Sequence, residues 1–174
     1  THAIFPVLAA THQVNRVAAL AVSAAEMIEF GQAYMAQIVR NAQALGAALE
    51  RRGIRVLGAR KGYTRTHQVI ADVRAYGGGL DTAHLLARAN LVTNKNLIPG
   101  DSAADWDRPG GLRLGTIEVT RYGMREPEMD VIADFMGRIL VEGQSPATVM
   151  EDVVDFRQGY QTLYYNFDHG LPPQ

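Results

Sequence analysis

The sequence contains no cysteine, which excludes disulfides and thiolate metal sites. That fits a reducing compartment, and a cytoplasmic location is the expectation. Lysine is nearly as scarce: of 17 basic residues, only Lys61 and Lys95 are lysines. Neither charge sign dominates, with 17 basic against 18 acidic residues and a formal net charge of -1. A chain with no basic surplus is not built for nucleic acid. No uninterrupted apolar run approaches the roughly 18 residues a membrane span needs. The opening residues lack a basic start followed by an apolar core, so they do not read as a signal peptide. An initiator methionine is also missing, and a piece of a longer protein is the expectation.

What is present is the apolar content of an ordinary globular protein, 47% over 174 residues. Val14, Val17, Ala18, Ala21, Val22 and Ala25 recur at helical spacing with few charges between them, predicting a helix over 12–30 buried on most sides. After Gly31, a second helix is predicted on the stripe Tyr34, Ile38, Ala42, Leu45 and Leu49, with Glu50, Arg51 and Arg52 solvated and Gly53 as its stop. Two such helices need a further layer to bury against, a first sign of an absent domain. Strands are predicted at 54–58, 67–73 and 112–119, with 91–98 strand or extended and Pro99-Gly100 turning. Asp81 is placed as the cap of a helix through 90, and 102–111 reads as loop. Pro127 and Pro146 suit the first turns of two further helices, the second capped by Ser145. The aromatic, proline-ended tail is expected on another surface. Three divisions result: helices over 1–53, an α+β unit over 54–143, and a helix with tail over 144–174.

Candidate chemistry is sparse. Lys95, framed by Asn94 and Asn96, could serve as a reactive amine only if burial or nearby cations lowered its pKa; an exposed lysine is the simpler reading. Arg113 lies among glycines in "GGLRLGT". Glycines let a ligand or backbone come close, and an arginine fork binds a carboxylate through two parallel hydrogen bonds. The alternative is a structural salt bridge. The histidines, at 2, 12, 67, 84 and 169, do not sit at ligand spacing with each other or with acids, so no metal site is expected. "YGGG" at 76–79 lacks the spacing of a phosphate loop.

Four stretches together are specific. They are "FP" at 5–6 before an alanine-rich helix, "QIVRNAQALGAALERRG" at 37–53, "ANLVTNKNLIPGD" at 89–101, and "GGLRLGT" with "TRYG" at 110–123. In this order and spacing they resemble the C-terminal portion of serine hydroxymethyltransferases, pyridoxal-phosphate enzymes of the aspartate-aminotransferase fold type. The resemblance spans about residues 3–140 and leaves the tail uncovered.

The resemblance implies an α/β protein: the end of the large cofactor-binding domain plus the small C-terminal α+β domain. It places the Schiff-base lysine before Thr1, so this chain holds no catalytic lysine and works with the N-terminal remainder of the enzyme. Arg113 matches the arginine that grips the amino acid's α-carboxylate, and Asn96 matches an asparagine beside the folate. Ala10 and Thr11 align with a glycine pair that reaches the cofactor phosphate of the neighbouring subunit. The implied cofactor is pyridoxal 5'-phosphate, with tetrahydrofolate as a candidate second substrate. The implied assembly is a homodimer with active sites at the subunit interface, acting on serine, glycine or threonine in one-carbon and amino-acid metabolism. Departures are visible: "VLAATHQ" replaces a glycine-rich run, Ile117-Glu118 follow Thr116 where the family has Pro-Ala, and Tyr122 replaces an arginine. They keep open an α-methylserine hydroxymethyltransferase, a threonine aldolase or a threonine transaldolase. A free-standing binding domain without catalysis is the non-enzymatic alternative.

Overall fold

A computed structural model describes residues 13–173. Ala10 and Thr11 therefore lie outside the described residues. A three-stranded antiparallel sheet carries helices on one face. Its strands are β1 (Gln68–Asp72), β2 (Asn94–Asn96) and β3 (Gly111–Gly115), in the order β1-β3-β2. Val69, Ala71, Leu112 and Leu114 point to the helix-covered face and are buried. They join Leu45 and Leu49 of α1 (Val14–Arg51), Leu86 of α2 (Gly78–Ala87) and Met129, Ala133 and Met136 of α4 (Glu126–Leu140). Val149 and Val153 of α5 (Pro146–Gln158) close the core from behind. A short helix α3 (Ile117–Arg121) links β3 to α4.

The leading helices are one. α1 runs unbroken through Gly31, contrary to the two-helix expectation. A mid-helix glycine costs only about 1 kcal/mol, and the stripe Tyr34, Ile38, Ala42, Leu45 and Leu49 is buried as predicted. The N-terminal half departs from expectation more strongly. Val14, Val17, Ala18, Ala21, Val22 and Ala25 are all exposed, Leu20 is 69% exposed and Ile28 is 88% exposed. No described residue supplies the layer that this apolar pattern calls for. At the other end Gly53 stops the helix as expected, at φ 84°, and Ile54 N–H returns to the Leu49 carbonyl. Glu50 and Arg51 are exposed as expected and Arg52 partly so, and the two arginines pair at the surface with Asp130 and Asp134 of α4.

Other local expectations also shift. The 54–58 stretch contributes only a single bridge, Val56 to Ala71. α2 starts at Gly78 behind a left-handed Gly77, so Asp81 sits within the first turn rather than at the cap, where its charge still favours the helix start. Ser145 precedes Pro146 of α5 without a side-chain cap bond. Residues 103–107 wind into a 3₁₀ turn closed by Asp105, whose carboxylate accepts from the Ser102 N–H at 2.7 Å. The predicted 112–119 strand ends at Gly115, because its partner β1 begins at Gln68, opposite Gly115. Beyond that register there is no strand to pair with, and Ile117–Arg121 coils into α3. The tail does not go to another surface; it folds back on α1 and α3.

Candidate functional site

The second face of the sheet carries Gln68, Ile70, Asn94, Asn96 and Arg113, each partly or fully exposed. β3 is the central strand, and Arg113 stands at its middle, flanked across the ladders by Ile70 and Asn94. Directly paired residues share a face, so register fixes this grouping. Among the described residues the Arg113 guanidinium has no hydrogen-bond or ion-pair partner. Arginine on a half-buried sheet face normally finds an anion, because its five N–H groups are costly to leave unpaired. The salt-bridge alternative thus finds no anion here, and the donor set suits an external carboxylate.

Asn96 lies one pair along the ladder, opposite Gly111 and on the same face as Arg113. Its amide donates to the adjacent Leu97 carbonyl at 2.6 Å. Lys95 starts on the opposite face, paired with Leu112. Its ammonium donates to the Asp107 carbonyl at 2.7 Å and sits 4.8 Å over the Trp106 ring, so it fastens the 103–107 turn to β2. Lys61, in a surface turn, is exposed. No lysine among the described residues shares the Arg113 face. His67 precedes β1, His84 is exposed on α2, and no group of three potential metal ligands occurs among the described residues. No helix among them is long and apolar enough to cross a membrane.

Three features that sequence reasoning missed hold β3 in place. The Asp101 carboxylate accepts the Ile98 N–H at 2.9 Å and the Gly110 N–H at 2.8 Å, tying the turn after β2 to the start of β3. Arg74 forks onto Asp72, at 3.0 and 2.6 Å, and its stem covers Gly110, where a Cβ would stand 2.8 Å from Arg74 Cγ. Thr116 Oγ1 donates to the Ile38 carbonyl at 3.0 Å, anchoring the strand exit to α1. The available signals were an acid two residues before an arginine at a strand end, and an acid directly after Pro-Gly.

Two outcomes follow from this bracing. Hydrogen bonds from Arg74 hold the Asp72 carboxyl below its ordinary 3.8, outweighing burial. A depressed folded-state value means a contribution present above the unfolded pKa and lost as pH falls through the folded one. Denaturant titrations of Asp72→Asn against the parent should therefore differ most near neutrality and converge in acid, below about pH 4. At Gly111 a Cβ would stand 2.3 Å from Ile98 Cγ2 and 2.9 Å from the Asn96 carbonyl oxygen. Gly111→Ala must push β2 away, and a loss of about 1–3 kcal/mol in unfolding free energy is expected.

An α+β layer that presents Arg113, without a partner among the described residues, on an open sheet face fits a domain of a fold-type I pyridoxal-phosphate enzyme. A family model described as serine hydroxymethyltransferase matches residues 1–136. The chain is 48% identical over 174 residues to the serine hydroxymethyltransferase of Thermococcus kodakarensis, covering 98% of this chain and 40% of that protein. It is 45% identical over 164 residues to that of Staphylothermus marinus, covering 94% and 37%. The crystal structure of an L-threonine transaldolase from Pseudomonas fluorescens superposes with a TM-score of 0.72 at 34% identity, over 84% of this chain and 33% of that one. The chain belongs to the serine hydroxymethyltransferase family. It spans about two fifths of the length of these curated relatives.

Proposed function

We propose that this chain is the substrate-holding part of a pyridoxal-phosphate enzyme that acts on the Cα–Cβ bond of β-hydroxy-α-amino acids, with serine–glycine hydroxymethyl transfer as the reaction. The observation that carries it is the Arg113 guanidinium at the centre of β3, without a partner among the described residues. Pyridoxal phosphate, when bound, draws electrons away from the amino acid's α-carbon. The chain's own part is orientation. Arg113 grips the α-carboxylate through two N–H groups and so fixes rotation about the α-carbon, aligning the bond to be broken. Asn96, two residues from Asn94 on the same face, is assigned to the second substrate, tetrahydrofolate.

The exposed apolar half of α1 supports the presence of an N-terminal remainder that carries the lysine and covers Val17, Leu20 and Ile28. Ala10 and Thr11 are assigned to the cofactor phosphate, across the interface of a homodimer in the cytoplasm. The division at residue 53 is retained as the end of the linking helix, although α1 already shares the small-domain core. The 34% identical transaldolase supports a second reading, cleavage of threonine with transfer to another aldehyde.

The complete protein, purified with pyridoxal phosphate, should show the visible absorbance of lysine-bound cofactor and convert serine to glycine only with tetrahydrofolate. Folate-independent exchange of threonine with an added aldehyde would select the second reading. A folded protein without cofactor absorbance would return the chain to a non-catalytic binding role.

A further inference from the structure

The family model stops at residue 136, and no role attaches to the C-terminal tail. In the structure the tail builds a second, smaller core around the middle of α1. Tyr165 is 3% exposed and stacks on Tyr34 at 4.6 Å, with Ile38 beside them. Phe167 meets Phe30 edge-on at 5.8 Å. The tail also grips the end of α3. Tyr164 N–H donates to the Arg121 carbonyl at 2.8 Å, and the Tyr164 ring packs where Gly123 has no side chain. The tail is locked on itself as well: Tyr165 N–H donates to the Gly170 carbonyl at 2.6 Å, and His169 N–H to Asn166 Oδ1 at 2.9 Å. Tyr165 takes φ 59°, a conformation that a bulky residue holds only when its surroundings impose it.

This buckle sits where α1 passes from its covered half to its uncovered half. There the helix is also tied to the segment following Arg113. Tyr34 hydroxyl donates to the Ile117 carbonyl at 2.8 Å, and Arg121 pairs with the nearly buried Glu26 at 3.1 Å. We propose that the tail is a positioning element: through Tyr165 on Tyr34 it sets the angle between α1 and the β3–α3 segment, and thereby the distance from Arg113 to a substrate held by the rest of the enzyme. This rests on the carboxylate reading of Arg113. Leverage makes the effect large. About 20 residues of helix beyond Tyr34 extend about 30 Å, so a tilt of about 5° displaces the far end by about 2–3 Å. Misplacement of about 1 Å can cost about 100-fold in rate.

The test uses the complete holoenzyme with Tyr165→Ala, Tyr165→Phe, Arg113→Ala and the double variant Arg113→Ala/Tyr165→Ala. Tyr165→Ala should raise the amino-acid KM about tenfold and lower kcat as well, as expected when the gripping group is displaced and the bound substrate loses its orientation. Tyr165→Phe, which keeps the stacked ring, should restore the parent value. In the Arg113→Ala background Tyr165→Ala should add nothing, because the group it positions is gone. In the cofactor-free protein, hydrogen exchange at 117–123 should quicken in Tyr165→Ala and not in Tyr165→Phe. A lowered melting temperature with unchanged KM, or an equal KM rise in both backgrounds, overturns the proposal. If Tyr165→Ala does not fold, Tyr34→Phe replaces it, deleting only the hydroxyl that reaches Ile117; an unchanged KM there also overturns it. Unchanged KM in Arg113→Ala alone sinks the carboxylate reading itself, whereas a raised KM there with none in Tyr165→Ala sinks only the tail's role.

Discussion

Arg113→Ala in the complete enzyme is expected to lower kcat/KM for serine by about a thousandfold. The arithmetic is direct. Each hydrogen bond to a charged partner contributes about 1.5–3 kcal/mol, and a fork makes two, so about 4 kcal/mol is lost, or about three powers of ten. Alanine also removes the orientation that the fork imposes, so kcat should fall along with affinity. Arg113→Lys keeps the charge and loses the planar fork, and it should recover only part of the loss. Because Arg113 makes no bond to a described residue, the folded state should tolerate the change, with the melting temperature moving little. Steady-state kinetics with serine, alongside thermal unfolding, checks both halves. Unaltered kinetic constants, or a collapse in stability equal to the loss of activity, would contradict the assignment.

The second large effect is on stability. Asn41 is fully buried and uses both ends of its amide. It donates to Thr120 Oγ1 at 2.8 Å and to the Met124 carbonyl at 2.9 Å, and accepts from Gln37 Nε2 at 2.8 Å. The Thr120 hydroxyl in turn donates a hydrogen bond to the Thr116 carbonyl at 2.6 Å. Gln37 Nε2 also reaches Glu126 Oε2 at 2.9 Å, so α1 is bonded to the β3 exit, to α3 and to α4 through one chain of polar groups. Asn41→Leu has nearly the same volume but removes the side-chain donor to the Met124 carbonyl in an apolar interior and takes one of their hydrogen bonds from the Thr120 hydroxyl and the Gln37 amide. Each partner so deprived costs about 1–3 kcal/mol, and a total loss of about 3–4 kcal/mol is expected. That is a large share of the stability of an ordinary domain. Urea unfolding of Asn41→Leu should show a shifted midpoint at constant slope. Asn41→Leu combined with Thr120→Val should recover part of the loss, since a polar partner leaves with it. A variant as stable as the parent would mean that the network contributes only specificity.

Much of the site was legible before the fold. Arginine between glycines in a strand-like segment stood out as a candidate anion-binding group, with a salt bridge as the alternative and the carboxylate role implied by the family resemblance, and the asparagine-framed lysine marked the neighbouring strand. The sequence could not show which side of the sheet each residue takes. Lys95, the rarest residue type, sits across from Leu112 and serves as a fastener, while Asn94 and Asn96 share the face of Arg113. A shift of one residue in pairing would have exchanged them.

The local pattern alone determined the buried stripe from Tyr34 to Leu49, the stop at Gly53, and the first turns at Pro127 and Pro146. These depend on periodicity and on single-residue stereochemistry, which act within a few positions. Tertiary structure decided that α1 runs through Gly31, that β3 ends at Gly115, and that the tail returns to Tyr34. Each is settled by contacts between residues far apart in the chain. Thr116 reaches Ile38 across 78 positions and Asn41 reaches Met124 across 83. No local preference encodes such partners. Folding selects them because a buried polar group left without one costs more than the local conformation it overrides.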